Sequence, residues 1–115
     1  MPGTVWRICD RATFAELRRR GRRCRSGPLN VVRLDRPASG PPRVAYAVGR
    51  QVGSAVVRNR VRRRLRAAAA ELAATGELRS GSYLVVASPA AADAPFTALR
   101  SRLRAACADL SRPAA

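Results

Sequence analysis

Residues 54–76 read SAVVRNRVRRRLRAAAAELAATG and carry the clearest periodic pattern in the chain. Apolar side chains recur there at steps of three or four residues, which is typical of a helix with one buried face. Ser54 is a suitable N-cap, and Gly76 is well placed to follow the last turn. The sequence therefore predicts a helix over about residues 55–74. Its apolar stripe consists of Val57, Val61, Leu65, Ala68 and Leu72.

Helical and extended patterns flank this long helix on both sides. The predicted elements are a first helix over 10–20, strands over 29–35, 43–48 and 82–87, and a last helix with a stripe that starts at Phe96. Three prolines make residues 37–42 a loop. If that loop turns the chain back, the second strand lies antiparallel to the first. The order of elements is then α-β-β-α-β-α. Whether a small extra strand forms near Val48 stays open.

The length of 115 residues fits one domain, so we treat residues 1–115 as a single unit. A small sheet with helices packed on it, an α+β sandwich, suits this mixture of elements. We expect residues 1–7 and 111–115 to be flexible ends.

The charge of the chain points to a polyanionic partner. Basic residues number 23 against 7 acidic residues, which gives a net charge of +16, and every basic residue is an arginine. Arginine suits phosphate because its planar fork binds two oxygens at once. RNA, DNA and an anionic membrane are the candidate partners at this stage.

The long helix concentrates this charge. Six arginines fall within residues 58–66, and the first acidic residue of the helix is Glu71. Like charges four residues apart on a helix repel one another, so the pattern does not stabilise the helix by itself. A bound anion would relieve the repulsion. We therefore expect this face to contact nucleic acid.

Several classes of site are excluded by composition. The chain has no histidine, so it has no histidine base and no histidine metal ligand. Its seven acidic residues are scattered singly, which suits helix capping better than a metal nuclease. Three cysteines without CxxC spacing indicate reduced thiols and a cytoplasmic protein. No apolar run is long enough to cross a bilayer, and we expect neither a membrane contact nor a small-molecule substrate.

The stretch GRQVGSAVVRNRVRRRLR, residues 49–66, resembles the signature of the bacterial ribonuclease P protein subunit. That family carries a basic pair, a V/I-G-x-A-V-x-R-N-R run and further basic residues. The resemblance extends over most of the chain and includes Arg7-Ile8, Phe14 and the strand at 82–87. It implies a ribosomal protein S5 domain 2-like α-β sandwich with a left-handed crossover at the RNR helix.

The resemblance also implies which residues contact RNA. Gln51 departs from the basic pair of the family and should contribute less charge. The implied RNA-binding residues are Arg50, Gln51, Arg58, Asn59, Arg60, Arg62, Arg63 and Arg66. The family holds the 5′ leader of precursor tRNA in a cleft between the first helix and the sheet, which here corresponds to Phe14, Arg18 and Val32. Aromatic residues frequent in the family are absent at positions 18 and 32.

What the resemblance implies about activity agrees with the composition. The family protein has no catalytic residues of its own. It binds the catalytic ribonuclease P RNA and precursor tRNA, and the RNA with its Mg²⁺ ions removes the 5′ leader. The main alternative is a ribosomal or general structured-RNA-binding protein without a role in processing. A DNA-binding architectural protein is a weaker alternative, because no helix-turn-helix pattern is present.

Two further features stay open in the sequence. Trp6 is expected to pack on the first helix, and a base-stacking platform is the alternative. The arginines at 100, 102 and 104 form either a second electrostatic patch or a solvated helix face.

Overall fold

A computed structural model describes residues 4–34 and 40–112. The strands are β1 (Trp6–Arg7), β2 (Arg22–Ser26), β3 (Leu29–Leu34), β4 (Arg43–Val48) and β5 (Ser82–Ala87). The α-helices within these residues are α1 (Arg11–Arg20), α2 (Ala55–Ala74) and α3 (Phe96–Leu110). Two short 3-10 turns, Arg50–Val52 and Pro89–Asp93, precede α2 and α3. The mixed α+β class predicted from the sequence is confirmed.

All five strands form one sheet in the order β1-β4-β5-β3-β2. The central strand β5 runs parallel to β4 and antiparallel to β3. The predicted opposite direction of β3 and β4 is therefore confirmed, but the two strands are not neighbours, because β5 lies between them. Helix α2 is the crossover that joins the parallel neighbours β4 and β5. The left hand of this crossover stays a prediction.

The sheet separates two apolar cores. Because side chains alternate along a strand, Val31 faces one core and Val32 faces the other. The larger core lies under α2 and α3. The smaller core lies under α1. Leu65, Leu72, Leu99, Leu103 and Leu110 are fully buried in the larger core.

The predicted helices are confirmed with their caps. Asp10 accepts hydrogen bonds from the backbone N–H of Thr13 at 2.9 Å and from its hydroxyl at 2.6 Å. Ser54 caps α2, and Gly76 follows its last turn with a φ of +78°, a conformation that glycine adopts without strain. Of the predicted apolar stripe, Val57 is only partly buried, and the other four members lie in the core.

Two strands were missed by the sequence prediction. The arginine-rich residues after α1 form β2, which pairs with β3 through a hairpin that turns at Gly27 with a φ of +56°. An edge strand tolerates charged side chains, and these hide the pattern of apolar residues by which a strand is recognised in a sequence. The other missed strand, β1, is only two residues long. The extra strand left open near Val48 is replaced by the 3-10 turn Arg50–Val52.

Some predictions fall partly on residues outside the described ranges. These are residues 1–3 and 113–115 of the predicted flexible ends, Asp35 of the first predicted strand, and residues 37–39 of the proline loop. Within the predicted N-terminal end, Trp6 and Arg7 pair with Arg43 and Val44 of β4.

Two arginines attach α3 to the sheet by its last turn. Arg33 of β3 is buried and donates hydrogen bonds to the carbonyls of Leu110 and Ser80, both at 2.9 Å. Its neighbour Arg22 donates to the carbonyl of Leu110 at 3.0 Å and to that of Arg112 at 2.6 Å. Both cations thus meet the negative end of the α3 dipole, which makes them structural residues.

Candidate nucleic-acid interface

Burial of the apolar stripe fixes where the arginines of α2 lie. Since Val61 and Leu65 point into the larger core, the six arginines occupy the rest of the helix surface. They form three groups, named here by position: the β4-side row (Arg58, Arg62 and Arg66), the crest (Asn59 and Arg63) and the far row (Arg60 and Arg64). Both crest residues are exposed.

The β4-side row leans over the edge of the sheet. Arg62 donates to the carbonyl of Val48 at 3.4 Å and to Oδ1 of Asn59 at 3.1 Å. The guanidinium carbon of Arg66 lies 6.0 Å from the ring centre of Tyr46. The buried Nε of Arg58 has no hydrogen-bond partner within the described part of the chain. No described carboxylate pairs with this row, so its positive charge is left for a ligand.

The far row is held by backbone carbonyls on the opposite side of α2. Arg64 donates to the carbonyl of Ala94 at 2.8 Å, and Arg60 donates to that of Ala92 at 3.4 Å. Both acceptors belong to the segment around the second 3-10 turn. A carbonyl orients a guanidinium without cancelling its charge, so these side chains are positioned and remain cationic.

No described carboxylate neutralises these six arginines. The ion pairs within residues 4–34 and 40–112 join Arg100 to Glu71 at 3.2 Å and Arg104 to Glu77 at 3.1 Å. Both glutamates lie beyond the arginine-rich half of the long helix. The N-terminal end of that helix is also the positive end of its dipole, which adds to the attraction for anions.

The predicted basic pair lies beside this surface. Arg50 and Gln51 are exposed on the 3-10 turn that leads into α2. The next residue, Val52, is buried and anchors the turn in the larger core. The local fold thus presents Arg50 and Gln51 to solvent just before the helix begins.

The three residues of the predicted leader cleft do not share one cavity. Arg18 and Val32 line a cavity of about 320 Å³ between α1 and the sheet, together with Arg23 and Asn30. Phe14 lines a different cavity, of about 440 Å³, at the free edge of β4. The residues predicted to form the leader cleft therefore lie at two neighbouring cavities.

Three of the acidic residues stabilise the fold by capping a helix or pairing with an arginine. The hydrogen bonds from Thr13 lower the pKa of Asp10 below its ordinary value. Glu71 and Glu77 pair with arginines of α3. In residues 4–34 and 40–112, no three His, Cys, Asp or Glu side chains are grouped so that they could hold a metal ion.

The described helices also include none that is both long and apolar enough to cross a bilayer.

Comparison with known proteins identifies the family. The family model of ribonuclease P matches residues 4–111. A ribonuclease P protein component from Nocardioides is 47% identical over 97 residues, which cover 82% of this chain and 81% of the relative. A component from Symbiobacterium thermophilum is 40% identical over 100 residues and covers 86% and 85%.

Solved structures show the same fold at low sequence identity. The RNase P protein of Staphylococcus aureus superposes with a TM-score of 0.79 at 18% identity, covering 94% of this chain and 97% of that one. The RNase P protein of Thermotoga maritima gives a TM-score of 0.74 at 19% identity, covering 95% and 98%. The ribosomal-protein alternative is excluded by these matches. The chain belongs to the ribonuclease P protein component family and is thus part of an endoribonuclease ribonucleoprotein, with a ribonuclease P RNA as its partner.

Proposed function

We propose that this chain binds the ribonuclease P RNA through α2 and assists removal of the 5′ leader from precursor tRNA. The observation that carries the proposal is the cluster of six arginines on α2 without a carboxylate partner among the described residues. Two RNA strands repel each other where the leader passes the catalytic RNA. A cationic surface between them lowers that repulsion.

We assign the contact with the catalytic RNA to the β4-side row, the crest and the far row, together with Arg50 and Gln51. Support comes from the carbonyls that orient Arg60, Arg62 and Arg64 while leaving their charge intact. A guanidinium oriented in this way binds two phosphate oxygens with little further loss of side-chain freedom. Asn59 adds a neutral donor and acceptor at the crest.

We assign the leader of precursor tRNA to the cavity beside Arg18 and Val32. Arg18 and Arg23 border it, and no aromatic side chain lines it among the described residues. Leader binding there depends on phosphate charge more than on base stacking. Phe14 contributes from the adjoining cavity.

In this proposal the Mg²⁺ ions are held by the RNA, where they supply the hydrolytic chemistry, and this chain contributes binding and charge neutralisation. The protein works in the cytoplasm, and its three free cysteines suit a reducing compartment. Membranes and small-molecule substrates have no part in the proposed activity.

The test is reconstitution with the cognate ribonuclease P RNA and 5′-labelled precursor tRNA. The Mg²⁺ concentration is set so that the RNA alone is nearly inactive. We expect cleavage at the mature 5′ end only when the protein and the RNA are both present. Tight RNA binding without restored cleavage would contradict the proposed role in processing.

A further inference from the structure

The connection between β5 and α3, residues 88–95, runs beside the far row of α2. Its sequence is SPAAADAP, with a proline near each end. Pro89 begins the 3-10 turn, where its fixed φ suits the backbone. Pro95 restricts the residue before it to extended backbone, and Ala94 has a φ of −76° and a ψ of 128°. The sequence therefore makes this connection a stiff segment.

The larger core holds the connection in place. Ala91 is completely buried there, at 0% exposed. Its backbone N–H donates to the carbonyl of Ser88 at 2.9 Å, and its carbonyl accepts from the N–H of Ala94 at 3.3 Å. The N–H of Ser88 donates in turn to the carbonyl of Pro28, in the β2–β3 hairpin, at 2.9 Å. Because Ala91 is enclosed on all sides, it fixes where the connection lies relative to α2.

Two carbonyls of the connection face α2. Arg64 donates to the carbonyl of Ala94 at 2.8 Å, and Arg60 donates to that of Ala92 at 3.4 Å. The two arginines lie one helical turn apart, where like charges repel each other. The two acceptors keep both guanidiniums on the same side of the helix despite that repulsion. The two cations thus lie side by side in the free protein.

We infer that the β5–α3 connection is a positioning element for RNA binding and that Ala91 is the residue that sets its place. The inference rests on the proposed function, which assigns the far row to the ribonuclease P RNA. Ala91 is buried and cannot contact RNA, so it acts through the carbonyls that hold Arg60 and Arg64. Without those acceptors, both arginine side chains would be ordered only during binding, and this lowers affinity at unchanged charge.

A matched pair of substitutions in the core tests the role of Ala91. Ala91→Val crowds the buried site and displaces the connection. Ala106→Val is the control, because Ala106 is also 0% exposed in the larger core but belongs to α3. We expect Ala91→Val to weaken binding of the ribonuclease P RNA about tenfold, the cost of ordering two arginine side chains. Ala106→Val should leave RNA affinity unchanged. Filter binding with folded protein measures both, and equal losses would overturn the inference.

Removal of the far row shows whether the effect of Ala91 passes through it. Glutamine at positions 60 and 64 removes two phosphate contacts, so the log–log salt slope should fall by roughly 1.4–1.8. Ala91→Val keeps both charges and should keep the slope of the natural protein. Added to the Arg60→Gln, Arg64→Gln protein, it should weaken RNA binding no further, because the side chains that it displaces are gone. An equal loss of affinity in the two backgrounds would contradict the inference.

Pro95→Ala is the second variant, in case Ala91→Val disturbs folding, which circular dichroism would reveal. Pro95 is exposed, so its replacement leaves the core intact, and it releases Ala94 from its restriction to extended backbone. We expect about threefold weaker RNA binding, as for one arginine that is ordered only during binding. The effect should vanish when Arg64 is replaced by glutamine. Unchanged RNA affinity of the folded Pro95→Ala protein would overturn the role of the connection.

Nuclear magnetic resonance of the free protein tests the positioning without RNA. A guanidinium held by a carbonyl rotates slowly and gives separate signals for its terminal N–H groups, whereas rotation averages those of a free one. We expect separate signals for Arg60 and Arg64 in the natural protein and averaged signals in Ala91→Val. Averaged signals in the natural protein would overturn the inference.

The inference and the proposed role in processing can fail separately. Equal losses from Ala91→Val with and without the far row would overturn the inference even if reconstituted cleavage is restored. Conversely, a loss of RNA affinity that requires Arg60 and Arg64 supports the positioning role even if reconstituted cleavage fails.

Discussion

Helices α2 and α3 lie on the same face of the sheet, yet their arginines have different surroundings. On α3, Arg100 pairs with Glu71 of α2, and Arg104 pairs with Glu77, which follows that helix. On α2, the arginines of the N-terminal half meet backbone carbonyls, an aromatic ring or solvent. Two of the three α3 arginines are thus neutralised within the fold, whereas the charge of the α2 arginines is left for a partner.

This difference shows that the number of arginines does not locate a nucleic-acid site. Both helices look basic in the sequence, and the arginines of α3 could have formed a second patch. The pairing of Arg100 with Glu71 and of Arg104 with Glu77 favours the solvated-face interpretation instead. The useful signal is a cation without a nearby carboxylate, and only the folded chain reveals it.

The largest loss of RNA affinity should come from removing arginines of α2, whereas removing those of α3 should have little effect. We compare two variants that each lose three arginines to glutamine: one in the β4-side row of α2, the other at the three arginine positions of α3. Loss of three phosphate contacts should weaken binding of the ribonuclease P RNA about 100-fold near physiological salt. The α3 variant should lose less than about threefold. Filter binding across a salt series measures both.

The salt series also tests the cause. Each phosphate contact contributes roughly 0.7–0.9 to the magnitude of the log–log slope, so the α2 variant should lose about 2–3 in slope. The α3 variant should keep the slope of the natural protein. Equal losses in the two variants would erase the distinction between the helices.

Arg33 should separate structural arginines from RNA-binding ones. Arg33→Met removes the hydrogen bonds to the carbonyls of Leu110 and Ser80, although the Leu110 carbonyl still accepts from Arg22. We expect a loss of about 2 kcal/mol in the free energy of unfolding. Urea unfolding measures it, and the salt slope of RNA binding by the folded fraction should not change. A reduced slope would place Arg33 among the RNA contacts.

Asp10 should give a smaller, pH-dependent effect. Because its pKa is lowered in the folded protein, its charged form stabilises the fold above the unfolded pKa of about 3.9. This contribution is lost as the pH falls through the lower, folded value. Asp10→Asn keeps a capping oxygen that does not titrate, so the difference in Tm between the natural protein and this variant should depend on pH only in the acid range. A constant difference would contradict the assigned pKa shift.

The smallest effect is expected from the two ion pairs of α3, which join Arg100 to Glu71 and Arg104 to Glu77. Both pairs are substantially exposed, and such pairs are worth less than about 1 kcal/mol because water and salt screen them. Glu71→Gln should therefore change the free energy of unfolding by only a few tenths of a kcal/mol. RNA affinity should change less than about twofold, since the released Arg100 lies on α3. A large gain in affinity would show that α3 can serve as a second patch.

Local patterns predicted the helices of this fold much better than its sheet. The bounds of α2 follow from apolar spacing and two end residues, all of which are adjacent in sequence. The position of β5 between β3 and β4 depends on pairing across long separations, which local patterns do not record. β2 was missed because arginines occupy both faces of an edge strand.

The site was predictable to a similar degree. The RNR spacing located the arginines of α2, but the carbonyls of Ala92 and Ala94 that orient the far row come from a distant segment. Phe14 lines one cavity while Arg18 and Val32 line another, and this depends on how α1 lies across the sheet, which the sequence does not record. Trp6 was expected to pack on α1, but it lies on β1 and is 49% exposed. Its exposed indole had a weak signal, since a lone tryptophan before a helix is more often buried.

The central place of β5 has a consequence for the order of assembly during synthesis. Until residues 82–87 have emerged, β3 and β4 lack the neighbour that joins them. A nascent chain can then form the β2–β3 hairpin and α2 locally, but it cannot close the sheet beneath that helix. The arginines thus emerge before the scaffold that arranges them. A nascent chain therefore meets RNA first through positive charge that the sheet does not yet hold in place, and only later through the folded surface of α2.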